Sequence, residues 1–164
     1  MIAGTVLTAW VSAQSGLNVR AQPSQEAQIV AVLPFGTEVE GIVKDGWLKA
    51  ENGYLSAEWL TDEEPMEAFT PMGTWRITAY YETGCATASG IYPEIGTTVA
   101  HNSLPFGTEI YVEGLGFWTV QDRGPGYLGS EWCDLYLGDY SDCVRFGEQY
   151  RNVWIVPEGG DADD

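Results

Sequence analysis

Three side chains in one stretch, Thr97 to Leu137, have the types and spacing for proton-transfer chemistry. His101 is the only histidine of the chain, and Asp122 and Asp134 lie twelve positions apart. Asp122 ends the apolar run Phe117-Trp118-Thr119-Val120-Gln121 and precedes Arg123-Gly124-Pro125-Gly126, a turn signal. Asp134 lies inside Trp132-Cys133-Asp134-Leu135-Tyr136-Leu137, which reads as a strand. Burying an ionised carboxylate costs several kcal/mol unless it is paired, hydrogen-bonded or neutralised, about the cost that turns an aspartate into a protonated acid. An acid of that kind can protonate a leaving group, and a second carboxylate nearby helps to keep it protonated.

Each of these residues also has a plain structural reading. Asp122 could cap the turn that follows it. His101 could be a satisfied histidine at a barrel end. The three together offer donor types for a metal, but acid catalysis is the better fit and no metal or other cofactor is expected. Asp134 is hardest to explain without a function. Trp118, Trp132, Tyr80, Tyr81 and Tyr127 could stack on the flat faces of a ligand. Alternation buries one side of each strand, so Tyr80 and Tyr127, beside loops, are the better substrate contacts. Arg123 and Asn102, next to Asp122 and His101, complete the expected binding set.

The elements that must position these groups are short strands. Over 164 residues there are 20 glycines, 21 aromatics and only 19% charged residues, a mix that suits strands and tight turns and predicts an all-β protein. The net charge of −17 gives no positive field for phosphates, which excludes nucleic acid and argues against anionic membranes. No apolar run reaches the length of a membrane span. Met1 to Ala13 loosely mimics the end of a signal peptide but lacks a basic start, so it is read as mature protein whose export signal is not in this sequence. Cys85, Cys133 and Cys143 fit no zinc spacing, and strand alternation turns Cys133 away from whatever Asp134 faces. Core packing of Cys133 and Cys143 is the simpler reading, with a bridge between them as the alternative.

Residues 1–60 are read as one unit of five or six short strands, a small barrel. It resembles a bacterial SH3-like domain in LNVRAQPS at 17–24, LPFGTEVEG at 33–41, DGWLKA at 45–50 and NGYLSAEWL at 52–60. That resemblance implies a cell-envelope setting, with a targeting or a spacer role. Residues 61–73, with two prolines and an acidic start, are expected to be a linker, and 158–164 (EGGDADD) an acidic tail. Residues 74–157 are expected to form the second unit, with strands at 75–81, 99–100, 109–114, 117–121 and 132–137, a short helix after Asp139, and a closing strand at 152–156. LPFGTE occurs at 33–38 and again at 104–109, in both cases as a turn feeding a strand.

The second unit resembles the three-aspartate ("3D") domain of MltA-type lytic transglycosylases and Gram-positive wall proteins. The matching residues are ITAY at 77–80, ATASG at 86–90, LPFGTEIYVEGLG at 104–116, VQDRGPG at 120–126, CDLYL at 133–137 and FGEQYRNVWIV at 146–156. VAHNSLPFGT and DRGP are also similar to RlpA-like barrels and, more distantly, expansins. The resemblance implies a six-stranded double-psi β-barrel with a short helix. It places the second and third family aspartates on Asp122 and Asp134. The first falls at His101-Asn102, where RlpA-like barrels carry a histidine.

What this resemblance implies is a secreted or wall-associated enzyme acting on peptidoglycan glycan strands and their stem peptides. A lytic transglycosylase needs a single acid/base, because the muramic acid supplies its own 6-hydroxyl as nucleophile. Asp134 is the expected acid/base, Asp122 its partner, and His101 a group that orients an aspartate or the substrate. The alternative is a non-catalytic wall-binding or expansin-like wall-loosening module.

Overall fold

The computed structural model describes residues 5–82 and 84–157. The chain is all-β, with one α-helix among the described residues, and divides into two compact units, Met1–Glu67 and Ala68–Asp164. The acidic tail expected at 158–164 lies outside the described residues.

The first unit contains β1 (Leu7–Val11), β2 (Leu17–Arg20), β3 (Ile29–Leu33), β4 (Glu38–Lys44), β5 (Trp47–Ala50), β6 (Gly53–Ser56) and β7 (Leu60–Thr61). They form a seven-stranded antiparallel sheet in the order β3-β2-β6-β5-β4-β1-β7. Alternation drives Val11, Leu17, Val19, Val39, Leu48 and Leu55 into a common core. The β4–β5 hairpin turns at Asp45-Gly46, both at positive φ (51° and 80°), which suits the right-handed twist of the strands it joins.

The second unit contains β8 (Thr70–Tyr81), β9 (Thr98–Ala100), β10 (Glu109–Val112), β11 (Gly116–Asp122), β12 (Trp132–Gly138), helix α1 (Tyr140–Phe146) and β13 (Gln149–Ile155). The six strands close into a barrel in the order β10-β11-β9-β12-β8-β13. Two pairs are parallel, β9 with β11 and β8 with β12, and the others are antiparallel. Closure removes every unpaired edge from this mixed sheet. Trp75, Ile77, Val99, Ile110, Val112, Trp118, Val120, Cys133, Leu135 and Val153 fill the interior. Asp139 caps α1 by accepting from Ser141 N–H at 2.7 Å, and Gly147 ends it at φ 66°.

Both ends of the expected linker belong to strands: Leu60–Thr61 is β7, and 70–73 opens β8. Two prolines and the lack of a sustained period read as a linker, but Thr70, Pro71 and Gly73 pair with Ile155, Trp154 and Val153 of the closing strand. A bulge between Val153 and Trp154 accommodates the irregular stretch, as bulges do where a proline cannot donate to the ladder.

The repeated LPFGTE turn has one structure in both units. Gly36 N–H donates to Val11 O and Val11 N–H to Thr37 O, at 2.8 and 3.0 Å. Gly107 N–H donates to Val120 O and Val120 N–H to Thr108 O, at 2.8 and 2.9 Å. Both turn glycines sit at positive φ, 74° and 87°, where other residues are strained. The motif is a clasp that grips a buried valine of a neighbouring strand.

Candidate active site

The barrel wall places the candidate residues by register. On β9, Val99 is opposite Val120 of β11 and Leu135 of β12, and all three are core. The next residue, Ala100, is therefore directed outward, and it is opposite both Asp122 and Asp134. The two aspartates thus flank one small side chain on the outer face of the wall. Their Cα atoms are two strand spacings apart, about 9.5 Å. A bulge at Gln121 is what puts Asp122 there, since an uninterrupted ladder would pair Gln121 with Ala100 and turn Asp122 inward. On the other flank β8 runs parallel to β12, pairing Thr78 with Asp134 and Tyr80 with Tyr136.

Asp134 is half-buried and held by a directional relay. Trp132 Nε1–H donates to Thr78 Oγ1 at 2.9 Å, and Thr78 O–H donates to Asp134 Oδ1 at 2.9 Å. An indole nitrogen only donates, so the threonine must accept from it and pass its own hydrogen to the carboxyl. Oδ1 is therefore an acceptor, and a proton on this carboxyl resides on Oδ2, which has no hydrogen-bond partner among the described residues. Burial pushes the Asp134 carboxyl above the ordinary aspartate range, the Thr78 hydrogen bond pulls it back, and the nearby Asp122 raises it further.

Asp122 is engaged on both oxygens. Oδ1 accepts from Ala88 N–H and Arg123 N–H, each at 2.8 Å, and Oδ2 accepts the Tyr80 hydroxyl at 3.0 Å. Burial and the Asp122 charge hold the Tyr80 phenol far above its usual value, so it remains a donor. The Tyr80 ring lies 5.3 Å from that of Tyr136. Asp122 thereby ties the loop after β8, through Ala88, to the end of β11. Ser89 N–H adds a bond to Gln121 O at 3.2 Å.

His101 is buried and spent on backbone. Its Nδ1 accepts from Ser103 N–H and Leu104 N–H at 3.2 and 3.0 Å, which leaves Nε2–H to donate to Ser130 O at 3.0 Å. The ring stacks on Trp75 with centroids 4.8 Å apart. Burial pulls its pKa below the ordinary imidazole value, and an Nδ1 that accepts two N–H bonds carries no proton of its own. With both nitrogens committed to backbone groups, His101 braces the two loops rather than orienting an aspartate or a substrate through its ring.

Asn102 is committed in the same way. Its amide nitrogen donates to Pro125 O and Leu128 O, and its oxygen accepts from Gly124 N–H at 3.0 Å. These bonds pin the Asp-Arg-Gly-Pro-Gly loop, where a Cβ at Gly124 would run into Leu128. Arg123 stacks over Phe106 at 3.8 Å and donates to His101 O at 2.6 Å. Tyr127 is 76% exposed, with its ring 5.8 Å from that of Trp132. Trp132 also carries the Arg76 guanidinium over its face at 4.0 Å.

Of the expected site residues, Asp134, Asp122 and Tyr80 meet at the wall, and Tyr127 stands at its edge beside Trp132. Thr78 was missed: a threonine alternating on an amphipathic strand gives no signal until β8 is known to lie parallel to β12. No three His, Cys, Asp or Glu side chains gather as a metal set among the described residues. The three cysteines are free, and Cys133 is buried on the inner face, opposite in direction to Asp134. No family model matches the chain, and no curated protein matches its sequence.

Proposed function

We propose that the second unit is a three-aspartate-type double-psi barrel of the MltA/RlpA kind and acts as a peptidoglycan lytic transglycosylase. The observation that carries this reading is the asymmetry of the two aspartates. Asp134 is a half-buried carboxyl with one oxygen fixed as acceptor and the other open, whereas Asp122 is tied on both. Protonated Asp134 gives the Oδ2 proton to the glycosidic oxygen, and the bond from that oxygen to muramic acid C1 breaks. The muramic 6-hydroxyl oxygen then bonds to C1, and its proton passes to the Asp134 carboxylate. The acid is regenerated and the product carries a 1,6-anhydro ring, with no water consumed. Asp122 adds to the burial that raises the Asp134 carboxyl, and holds Tyr80 in place beside Tyr136. Tyr127 and Trp132 offer aromatic faces for a sugar. The setting that follows is extracellular or wall-associated, with the SH3-like unit as the targeting or spacing module.

The test is digestion of purified sacculi followed by mass spectrometry. Anhydro-muropeptides are expected from the native protein and not from Asp134→Asn at unchanged melting temperature. Hydrated reducing ends would replace this mechanism by hydrolysis, and no soluble product would refute the enzymatic reading.

One observation favours a second reading. The family position of the first aspartate is occupied here by His101-Asn102, with the His101 ring used up in bracing, and the exposed Tyr127 beside half-buried Trp132 resembles a binding platform. A non-catalytic, expansin-like module would pull down with insoluble glycan equally well as wild type and as Asp134→Asn, and would release nothing.

A further inference from the structure

The first unit has a charge distribution that its sequence alone conceals. Residues 1–67 hold ten acids and only three cations, Arg20, Lys44 and Lys49, the last two being the only lysines of the chain. All three cations line two cavities, of about 670 and 520 Å³, that share Trp47. Of the ten acids only Asp45 lines either one. Glu38, Glu40 and Glu51 line a different cavity.

The register explains the convergence. Lys44 is opposite Trp47, Ile42 opposite Lys49, Lys49 opposite Tyr54, Tyr54 opposite Arg20, and Trp47 opposite Ser56. Directly opposed residues share a face. These side chains therefore stand together on the outer face of β2-β6-β5-β4, while Leu48 and Leu55 turn to the core. Lys44 and Lys49 are exposed and form no ion pair among the described residues. Arg20 is anchored, donating to Ala27 O at 2.8 Å. An acidic unit has thus gathered all its positive charge beside an aromatic floor, in cavities of ligand size.

The two cavities differ in a way that narrows the ligand. The smaller has an apolar and aromatic floor (Ile42, Trp47, Tyr54) under the two lysines. The larger, bounded by Trp47 and Trp59, is lined by short hydroxyl and amide side chains, among them Gln14, Asn18 and Ser56. Rings that can stack and neutral groups that bond hydroxyls suit a sugar chain, and ammonium groups suit a carboxylate on it. Three cations are too few for a dense polyphosphate, which the net charge of −17 also repels.

We infer that this face is a binding site for a carboxylate-bearing glycan, with neutral sugars in the larger cavity against Trp47 and Trp59 and an acidic sugar at Lys44 and Lys49. The inference stands on the first unit and does not depend on the aspartate site of the second.

The test is calorimetric titration of the full chain with a linear tetra-uronate, its carboxyl-reduced neutral counterpart and tetraglutamate. The uronate is expected to bind at least about tenfold more tightly than either of the others, a difference worth about 1.4 kcal/mol. Lys44→Gln with Lys49→Gln should weaken it by about tenfold or more, Lys44→Arg with Lys49→Arg should restore most of the affinity, and Trp59→Ala should weaken all sugar binding. Equal binding of the neutral oligosaccharide, equal or tighter binding of tetraglutamate, or unchanged uronate binding by the glutamine pair would each overturn the inference.

Discussion

The two sides of Ala100 present the same residue type in opposite states. On the β11 side, a bulge and a loop give Asp122 three donors, including two backbone N–H groups, and its carboxyl is a structural knot. On the β12 side, Asp134 receives one donor, from a threonine that is itself aligned by Trp132. Strand register makes the two aspartates neighbours, and their donors divide them into an open carboxyl and a tied one. A carboxyl that must release and recapture a proton needs an open oxygen, and one that must stay a fixed negative charge needs donors on both. The same division runs through the other candidates. His101 and Asn102 hold loops, whereas Tyr127 presents a free face.

The comparison can be broken at either side. The largest effect is expected at Asp134, where asparagine should lower glycan release by about 10³-fold by removing the transferable proton, as measured by muropeptide yield per unit time. His101→Ala should cost about 3 kcal/mol of stability, measured by urea denaturation, because it opens a cavity and takes the ring partners from the Ser103 and Leu104 N–H groups and the Ser130 carbonyl. Residual activity of the folded fraction should stay near wild type. A loss as large as that of Asp134→Asn at full folding would return His101 to the chemistry. Asp122→Asn should reduce release by about 10- to 100-fold, because the loop and Tyr80 lose their anchor and Asp134 loses a neighbouring charge.

The smallest effect is the most discriminating. An acid catalyst is lost as pH rises through its pKa, so under the proposed mechanism the alkaline limb of the rate profile follows Asp134. Asp122 raises that pKa and the Thr78 hydrogen bond lowers it. Asp122→Asn should therefore move the limb to lower pH, and Thr78→Val should move it to higher pH with a rate change of only about 3- to 10-fold. Limbs that move together would dissolve the asymmetry.

Much of this arrangement was legible in the residues. Alternation around Val120 and Leu135 located the acid-bearing strands, and the LPFGTE repeat marked two turns that prove to be the same clasp. The site was less legible, because its logic is non-local. Thr78 and Asp134 are 56 residues apart and meet only through parallel pairing of β8 with β12. The bulge at Gln121 decides which way Asp122 points, and one-residue irregularities leave no trace in a hydrophobic pattern. His101 shows the converse limit. Its residue type invites catalysis, and only the three backbone partners around the ring reveal a brace.

The central claim is that Asp134 is the proton-holding member of the pair, and side-chain carboxyl NMR across a pH titration measures this directly. The Asp134 resonance is expected to titrate above 3.8, the ordinary value for its side chain, and to move down when Asp122 is changed to asparagine. Titration of Asp134 at or below that value, unmoved by Asp122→Asn, would contradict the account.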